Sequence, residues 1–167
     1  EKTAKIIGFY KESPEVFVPR SITYESQEYI VISICEDAFE NSDEMVTIRF
    51  AQDSELRTIK QDAFACSSFH SIEIPSIVDN LEEGWCNEIM YVTNVTVSPK
   101  NQNYSLFDGK FIVGKSSKEK DNFDVLIFSV RNIENPKIPN FIETIGQFSF
   151  AECRKLKHVE ISPNSNL

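Results

Sequence analysis

The chain has 167 residues, with 17 basic against 26 acidic side chains and a formal net charge of −9. Its length and 41% hydrophobic share suit one packed domain and exclude a disordered chain. The acidic balance argues against broad nucleic-acid binding, which draws on clustered Lys and Arg, and no run reaches the ~18 apolar residues of a membrane span. Residues 1–20 are broken by Lys5, Lys11, Glu12, Glu15 and Arg20, so a signal peptide or an anchor would have to lie outside this sequence. The charge is uneven. Residues 1–90 carry eighteen acids and seven bases, and residues 91–167 carry eight acids and ten bases.

In chain order, the first extended segment is Val16/Val18, followed by a polar insertion within 22–34 that ends in the extended Tyr29–Ile34. From there the chain repeats itself. Residues 34–50 carry Ile34, Ala38-Phe39, Ser42, Met45, Ile48 and Phe50. Residues 59–75 carry Ile59, Ala63-Phe64, Cys66, Phe69, Ile72 and Ile74, one residue shorter. A worn copy follows with Leu81, Trp85-Cys86, Ile89, Val92, Val95 and Val97, and the skeleton returns as Ile145, Ser149-Phe150, Cys153, Leu156, Val159 and Ile161. Apolar residues five, two and zero places before an endpoint also recur as Ile133/Pro136/Ile138, while Val16/Val18 fills the last two places with Ser13 at the first. Alternation over the last three residues is the period of a strand with one buried face. The endpoints at 18, 50, 74, 97, 138 and 161 therefore predict six strands from a unit of 23–24 residues with two insertions. In the second insertion, Asp108-Gly109 supplies the turn between Tyr104–Phe107 and Lys110–Val113. Lys115–Asn122 reads as a charged loop and Phe123–Val130 as a third strand, making a meander that projects from the array.

A 23-residue coil cannot enclose its own apolar side chains, but stacked coils pair their strands in parallel about 4.8 Å apart. Ala-Phe is expected on a short turn or helix opposite the strands. Pro19, Pro75 and Pro139 end the ladder.

The skeleton Ile-x-x-x-Ala-Phe-x-x-Cys-x-x-Leu-x-x-Ile-x-Ile-Pro resembles the BspA-like leucine-rich repeat proteins. Glu83-Gly84-Trp85-Cys86, Asp108–Lys115 and Phe123-Asp124-Val125-Leu126 resemble the surface-antigen subfamily expanded in parasitic protists. The resemblance runs from about Val16 to the end. It implies an α/β repeat: a right-handed leucine-rich repeat solenoid with a parallel β-sheet of about six rungs, short helical turns opposite, and an inserted β-meander. It also implies a cell-surface or extracellular adhesin role, binding matrix, host cells or other microbes, with no catalytic residues to transfer. The expected divisions are 1–33 for the N-terminal strand and insertion, 34–99 for three repeats, 100–132 for the meander and 133–167 for the last repeats. Ile161–Leu167 parallels Phe50–Leu56, so the array is expected to stop mid-unit without a C-terminal cap, and its open end to self-associate end to end.

Catalysis finds no foothold in the pattern. His70 and His158 are the only histidines, and neither accompanies a nucleophile motif, so surface positions are expected for both. Cys35, Cys66, Cys86 and Cys153 are even in number but lack Cys-x-x-Cys spacing. Cys66 and Cys153 sit near one repeat phase and Cys86 at a Phe position, so buried free thiols are expected rather than a disulfide scaffold. Glu36-Asp37, Glu40 and Asp43-Glu44 lack the spacing that aims carboxylates at one calcium ion, although Asp37 and Asp62 share a phase. No cofactor or metal is expected.

The face expected to bind is the outward side of the sheet: Phe17, Arg49, Glu73, Thr96, Lys137 and Glu160, with Ser71, Asn94 and His158 one alternation earlier. Arg49–Glu73 and Lys137–Glu160 are expected as ladder pairs worth tenths of a kcal/mol. Two N-glycosylation triplets occur, Asn94-Val-Thr96 and Asn103-Tyr-Ser105. Asn103, in a loop, is expected to be the better acceptor, since a glycan on Asn94 would obstruct the face. The expected function is non-catalytic binding of a protein or host-cell and matrix ligand; the alternative is a cytoplasmic or structural scaffold for one protein partner.

Overall fold

A computed structural model describes residues 2–9, 14–40, 42 and 47–167. Ser13, Asp43, Glu44 and Met45, used in the sequence reading, lie outside these residues. The chain winds through six coils, each with two short strands. Coil one carries β1 (Thr3–Ile6) and β2 (Glu15–Val18). After the inserted β3 (Ser21–Tyr24), coil two carries β4 (Gln27–Ile34) and β5 (Thr47–Phe50). Coils three and four carry β6 (Thr58–Ile59) with β7 (Ser71–Ile74), then β8 (Asn80–Leu81) with β9 (Asn94–Val97). The hairpin of β10 (Tyr104–Phe107) and β11 (Phe111–Gly114) precedes coil five, β12 (Val125–Ser129) and β13 (Lys137–Ile138). Coil six carries β14 (Thr144–Ile145) and β15 (Glu160–Ile161).

The expected ladder is present as β2-β5-β7-β9, all parallel, with Val16, Ile48, Ile72 and Val95 in register and buried. β13 and β15 pair in parallel as a separate piece, Lys137 opposite Glu160. The opposite side is a second parallel ladder, β1-β4-β6-β8, taken up again by β12 and β14. The meander is therefore partly absorbed into the array: β10 and β11 form the hairpin turning at Asp108-Gly109, while β12 is also a rung.

The helical turns expected beside Ala-Phe are not there; no helix occurs among the described residues. The backbone says why. Asp37, Asp62, Gly84 and Phe148, three places after the first apolar residue of their coils, all have φ between 52 and 80°. Four places later Cys66, Glu88 and Glu152 are again left-handed, with φ of 55–57°. A right-handed helix cannot propagate between two such points. The corner is instead a chain of reverse turns, as in Ala63 N–H to Lys60, Ala65 N–H to Asp62 and Ser67 N–H to Phe64 carbonyls.

Inside, equivalent side chains stack. Phe39 and Phe64 lie 5.4 Å apart and nearly parallel, flanked by Phe9 at 5.5 Å and Phe69 at 5.3 Å. Cys86 takes the Phe position in coil four and is buried. Cys66 does not share the place of Cys153. It occupies the left-handed corner, half-exposed, with Sγ 2.9 Å from Glu88, while Ser67 takes the buried place and donates to the Phe39 carbonyl at 2.5 Å.

Coil five departs from the pattern. In register, Leu126 and Ile138 match Ile145 and Ile161, so its path is twelve residues where coil six uses sixteen. Its corner is a single turn, closed by the Ile133 N–H on the Val130 carbonyl at 3.3 Å, with no left-handed residue in 130–137. Arg131 fills the space, 4% exposed and unaccompanied by a carboxylate among the described ion pairs. Its Nε donates to the Ile89 carbonyl at 2.9 Å and Nη2 to the Cys86 carbonyl at 3.0 Å, both in coil four. Nη1 donates to the Ser149 carbonyl of coil six at 3.1 Å and to Ser129 at 3.4 Å. The guanidinium also lies 4.2 Å over the Phe128 ring. One buried cation thus joins the coils on either side of its own.

Candidate binding face

Strand alternation aims one side chain in two outward, so each rung of the ladder adds two residues to a common surface. In register, Glu15, Thr47, Ser71 and Asn94 form one column, and the Ser71 hydroxyl donates to Thr47 Oγ1 at 3.3 Å. The neighbouring column runs through Phe17, Arg49, Glu73 and Thr96. Pro75, which has no N–H to donate, follows Ile74, and the β5–β7 pairing stops at Ile72. Thr47, Arg49, Ser71, Glu73, Asn94 and Thr96 of these columns line a shallow depression of about 200 Å³. Phe17, opposite Arg49 in register, is 63% exposed.

The structure brings Phe17, Arg49, Ser71, Glu73, Asn94 and Thr96 together. It sets Lys137 and Glu160 apart, on the two-stranded piece, with His158 two residues ahead of β15. Arg49 does not pair with Glu73. Its Nε lies 2.9 Å from Glu15 on the preceding strand, while Glu73 has no ion pair among the described residues. Lys137 does pair with Glu160, at 2.5 Å, and this ammonium holds the Glu160 carboxyl below its ordinary range. Lys157 lowers Glu134 in the same way across 2.7 Å.

Sequence reasoning missed an aromatic contact beside this surface. His70, immediately before β7, stacks on the exposed Tyr91 at 6.0 Å, and its carbonyl accepts from Thr93 and Asn94. The buried Asn101 was missed too. Its amide donates to the Pro75 and Val78 carbonyls, and its oxygen accepts from the Asn103 and Tyr104 N–H groups, fixing where the hairpin leaves the array. Asn103 is consequently half-buried, whereas Asn94 is exposed. Where the hairpin returns, Asp124 is buried and accepts from the Ser116 N–H at 2.8 Å, its hydroxyl at 2.6 Å and Lys120. Lys120 also reaches Glu143 at 2.9 Å.

Among the described residues no three His, Cys, Asp or Glu side chains gather to hold a metal ion. The Asp62 carboxylate accepts from Asn87 and Gln61 instead. Among the described residues no helix is long and apolar enough to cross a membrane.

A stack of six coils whose strands pair in parallel from one coil to the next defines a repeat solenoid with an extended surface. The chain belongs to the BspA-type leucine-rich repeat family: six copies of that repeat match it over residues 14–111 and 121–167. Its fold is similar to that of the pneumococcal vaccine antigen PcpA, with a TM-score of 0.75 and 23% identity over 92% of this chain. A leucine-rich repeat protein from Eubacterium ventriosum is similar at a TM-score of 0.56 and 16% identity over 98% of the chain. The chain spans 35% of the length of the first and 54% of the second. No curated protein matches it.

Proposed function

We propose that the chain is a non-catalytic protein-binding module working at a cell surface or in the extracellular space, in the manner of an adhesin. The observation that carries this reading is the outward face of β2-β5-β7-β9, where eight side chains of mixed character stand in two neighbouring columns. Such a face offers a partner charge, hydroxyl, amide and aromatic contacts on a rigid backbone. Membership of the repeat family and similarity in fold to a vaccine antigen support it. The test is binding to immobilised extracellular-matrix proteins and to cultured cells. A variant carrying Arg49→Glu and Glu73→Lys is expected to lose at least tenfold in affinity while keeping its melting temperature. Equal binding by both proteins would refute the face.

The half-exposed thiols of Cys35 and Cys66 favour a second reading, a scaffold in a reducing compartment. Surface labelling of intact cells of the source organism separates the two: label on the chain supports the first, and label on other surface proteins alone supports the second.

A further inference from the structure

We propose that the interruption between β9 and β13 is a docking groove for an extended segment of a partner protein, which adds to the open strand edges. The proposal rests on the binding-module reading and names where on the molecule the partner's main chain sits. β9 pairs only with β7, and β13 only with β15, among the described residues. The facing edges are therefore strand edges without a ladder partner, the feature that recruits an added strand.

Two departures from the repeat flank the gap, and both fall next to coil five: the shortened corner and the inserted hairpin. The resulting groove holds about 430 Å³ and is lined by the hairpin tip, Thr93 and residues 132–137. That volume falls in the ~300–1,000 Å³ range of ligand sites. Its lining includes the buried Phe111, Val130 and Ile133, while Asp108, Lys110, Glu134 and Lys137 are exposed around it. An extended peptide sends alternate side chains to opposite sides, so apolar residues can face the buried lining and polar ones the rim.

The rim also selects the class of partner. Two carboxylates beside two ammonium groups give no net attraction for a polyanion such as nucleic acid. They do match a polypeptide bearing side chains of both signs. Lys110 already pairs with Asp108 at 2.7 Å, Lys137 with Glu160 and Glu134 with Lys157. Exposed pairs of this kind are worth little, so exchanging them for a partner's charges costs little.

The test uses a phage-displayed library of random dodecapeptides as the probe, panned on the whole chain. Selected peptides are then synthesised and titrated by isothermal calorimetry and amide NMR. Peptides alternating apolar and polar residues are expected, with amide shifts concentrated at residues 132–137 and Lys110. Asn135→Trp with Thr93→Trp, both at exposed positions lining the groove, is expected to weaken binding at least tenfold. N-methylation of alternate peptide amides is expected to do the same, because edge pairing uses main-chain donors. A melting curve matching the wild type keeps the filled variant interpretable, and Asn135→Trp alone replaces it if the double variant unfolds. Full binding by the filled variant, or by the N-methylated peptide, overturns the proposal, as does a library that yields nothing above a blank surface. Peptides that bind the filled variant but fail on Arg49→Glu/Glu73→Lys would overturn the groove and leave the binding-module reading standing.

Discussion

Replacing Arg131 with Met keeps most of the side-chain volume while deleting every donor. The Cys86 and Ile89 carbonyls, both in buried residues, accept from Arg131 alone among the described hydrogen bonds. The Ser149 carbonyl is better placed, since it also accepts from Ser129 N at 2.9 Å and Ser129 Oγ at 2.8 Å. Two orphaned carbonyls cost about 1–3 kcal/mol each, and the lost cation–π contact about 1–2 kcal/mol. Relief from burying a charge offsets part of that sum, which leaves a net loss of about 2–5 kcal/mol. For a chain of this size each kcal/mol moves the midpoint by about 2–4 °C, so Tm is expected to fall by roughly 5–20 °C. Because Arg131 links coils four and six, urea unfolding is also expected to broaden or split, with a reduced apparent m-value. Arg131→Lys keeps the charge but cannot span four carbonyls, and is expected to lose stability too. A Met variant melting with the wild type, with an unchanged m-value, would show that the carbonyls do not depend on the guanidinium.

Asp124→Asn is expected to loosen residues 115–121, read as faster amide exchange at Ser116. Burial raises the Asp124 pKa, but hydrogen bonds from Lys120 and Ser116 outweigh it and hold the carboxyl below its ordinary value of 3.8. Its contribution to stability is therefore present above that value and lost as pH falls through the lower folded one. Acid unfolding curves of the Asp124→Asn variant and the wild type that superimpose over the whole titration would argue that the latch is idle. With burial pushing its thiol up to about 11, Cys86 is expected to resist a thiol reagent at mildly alkaline pH in the folded chain, while the half-exposed Cys35 and Cys66 react; peptide mapping after brief alkylation reads this directly. Gly84→Ala is expected to cost about 1–2 kcal/mol by thermal denaturation, since Gly84 has φ +80° and an added Cβ would stand 3.2 Å from Gln61 Cγ.

The β2-β5-β7-β9 ladder was legible because three residues of alternation recur at each endpoint. The opposite ladder was not. Its rungs are as short as Thr58–Ile59 and Asn80–Leu81, each offering one apolar residue and no period to read. Ala-Phe looked helical because nothing in Asp62, Cys66 or Glu88 announces positive φ; Gly84 alone among these corners carried the signal. Asp108-Gly109 marked its hairpin, whereas Glu25-Ser26, with φ of 49 and 63°, turned β3 into β4 unannounced. The choice of Glu15 over Glu73 by Arg49 depends on side-chain reach across neighbouring strands, which register alone does not decide. The place of Arg131 was within reach of the sequence: the count from Leu126 to Ile138 is short, and a shortened corner needs something to fill it.

The winding itself governs how the molecule answers to force. A coil of about 23 residues advances the stack by only about 4.8 Å, yet the same chain drawn straight spans roughly 80 Å. Tension along the axis thus meets a series of short sheets, each held mainly by its neighbour, and every coil that peels away lengthens the tether by roughly ten times its folded rise or more. Coil five is the exception, because the coils on either side grip the Arg131 side chain and must let go before it can unwind.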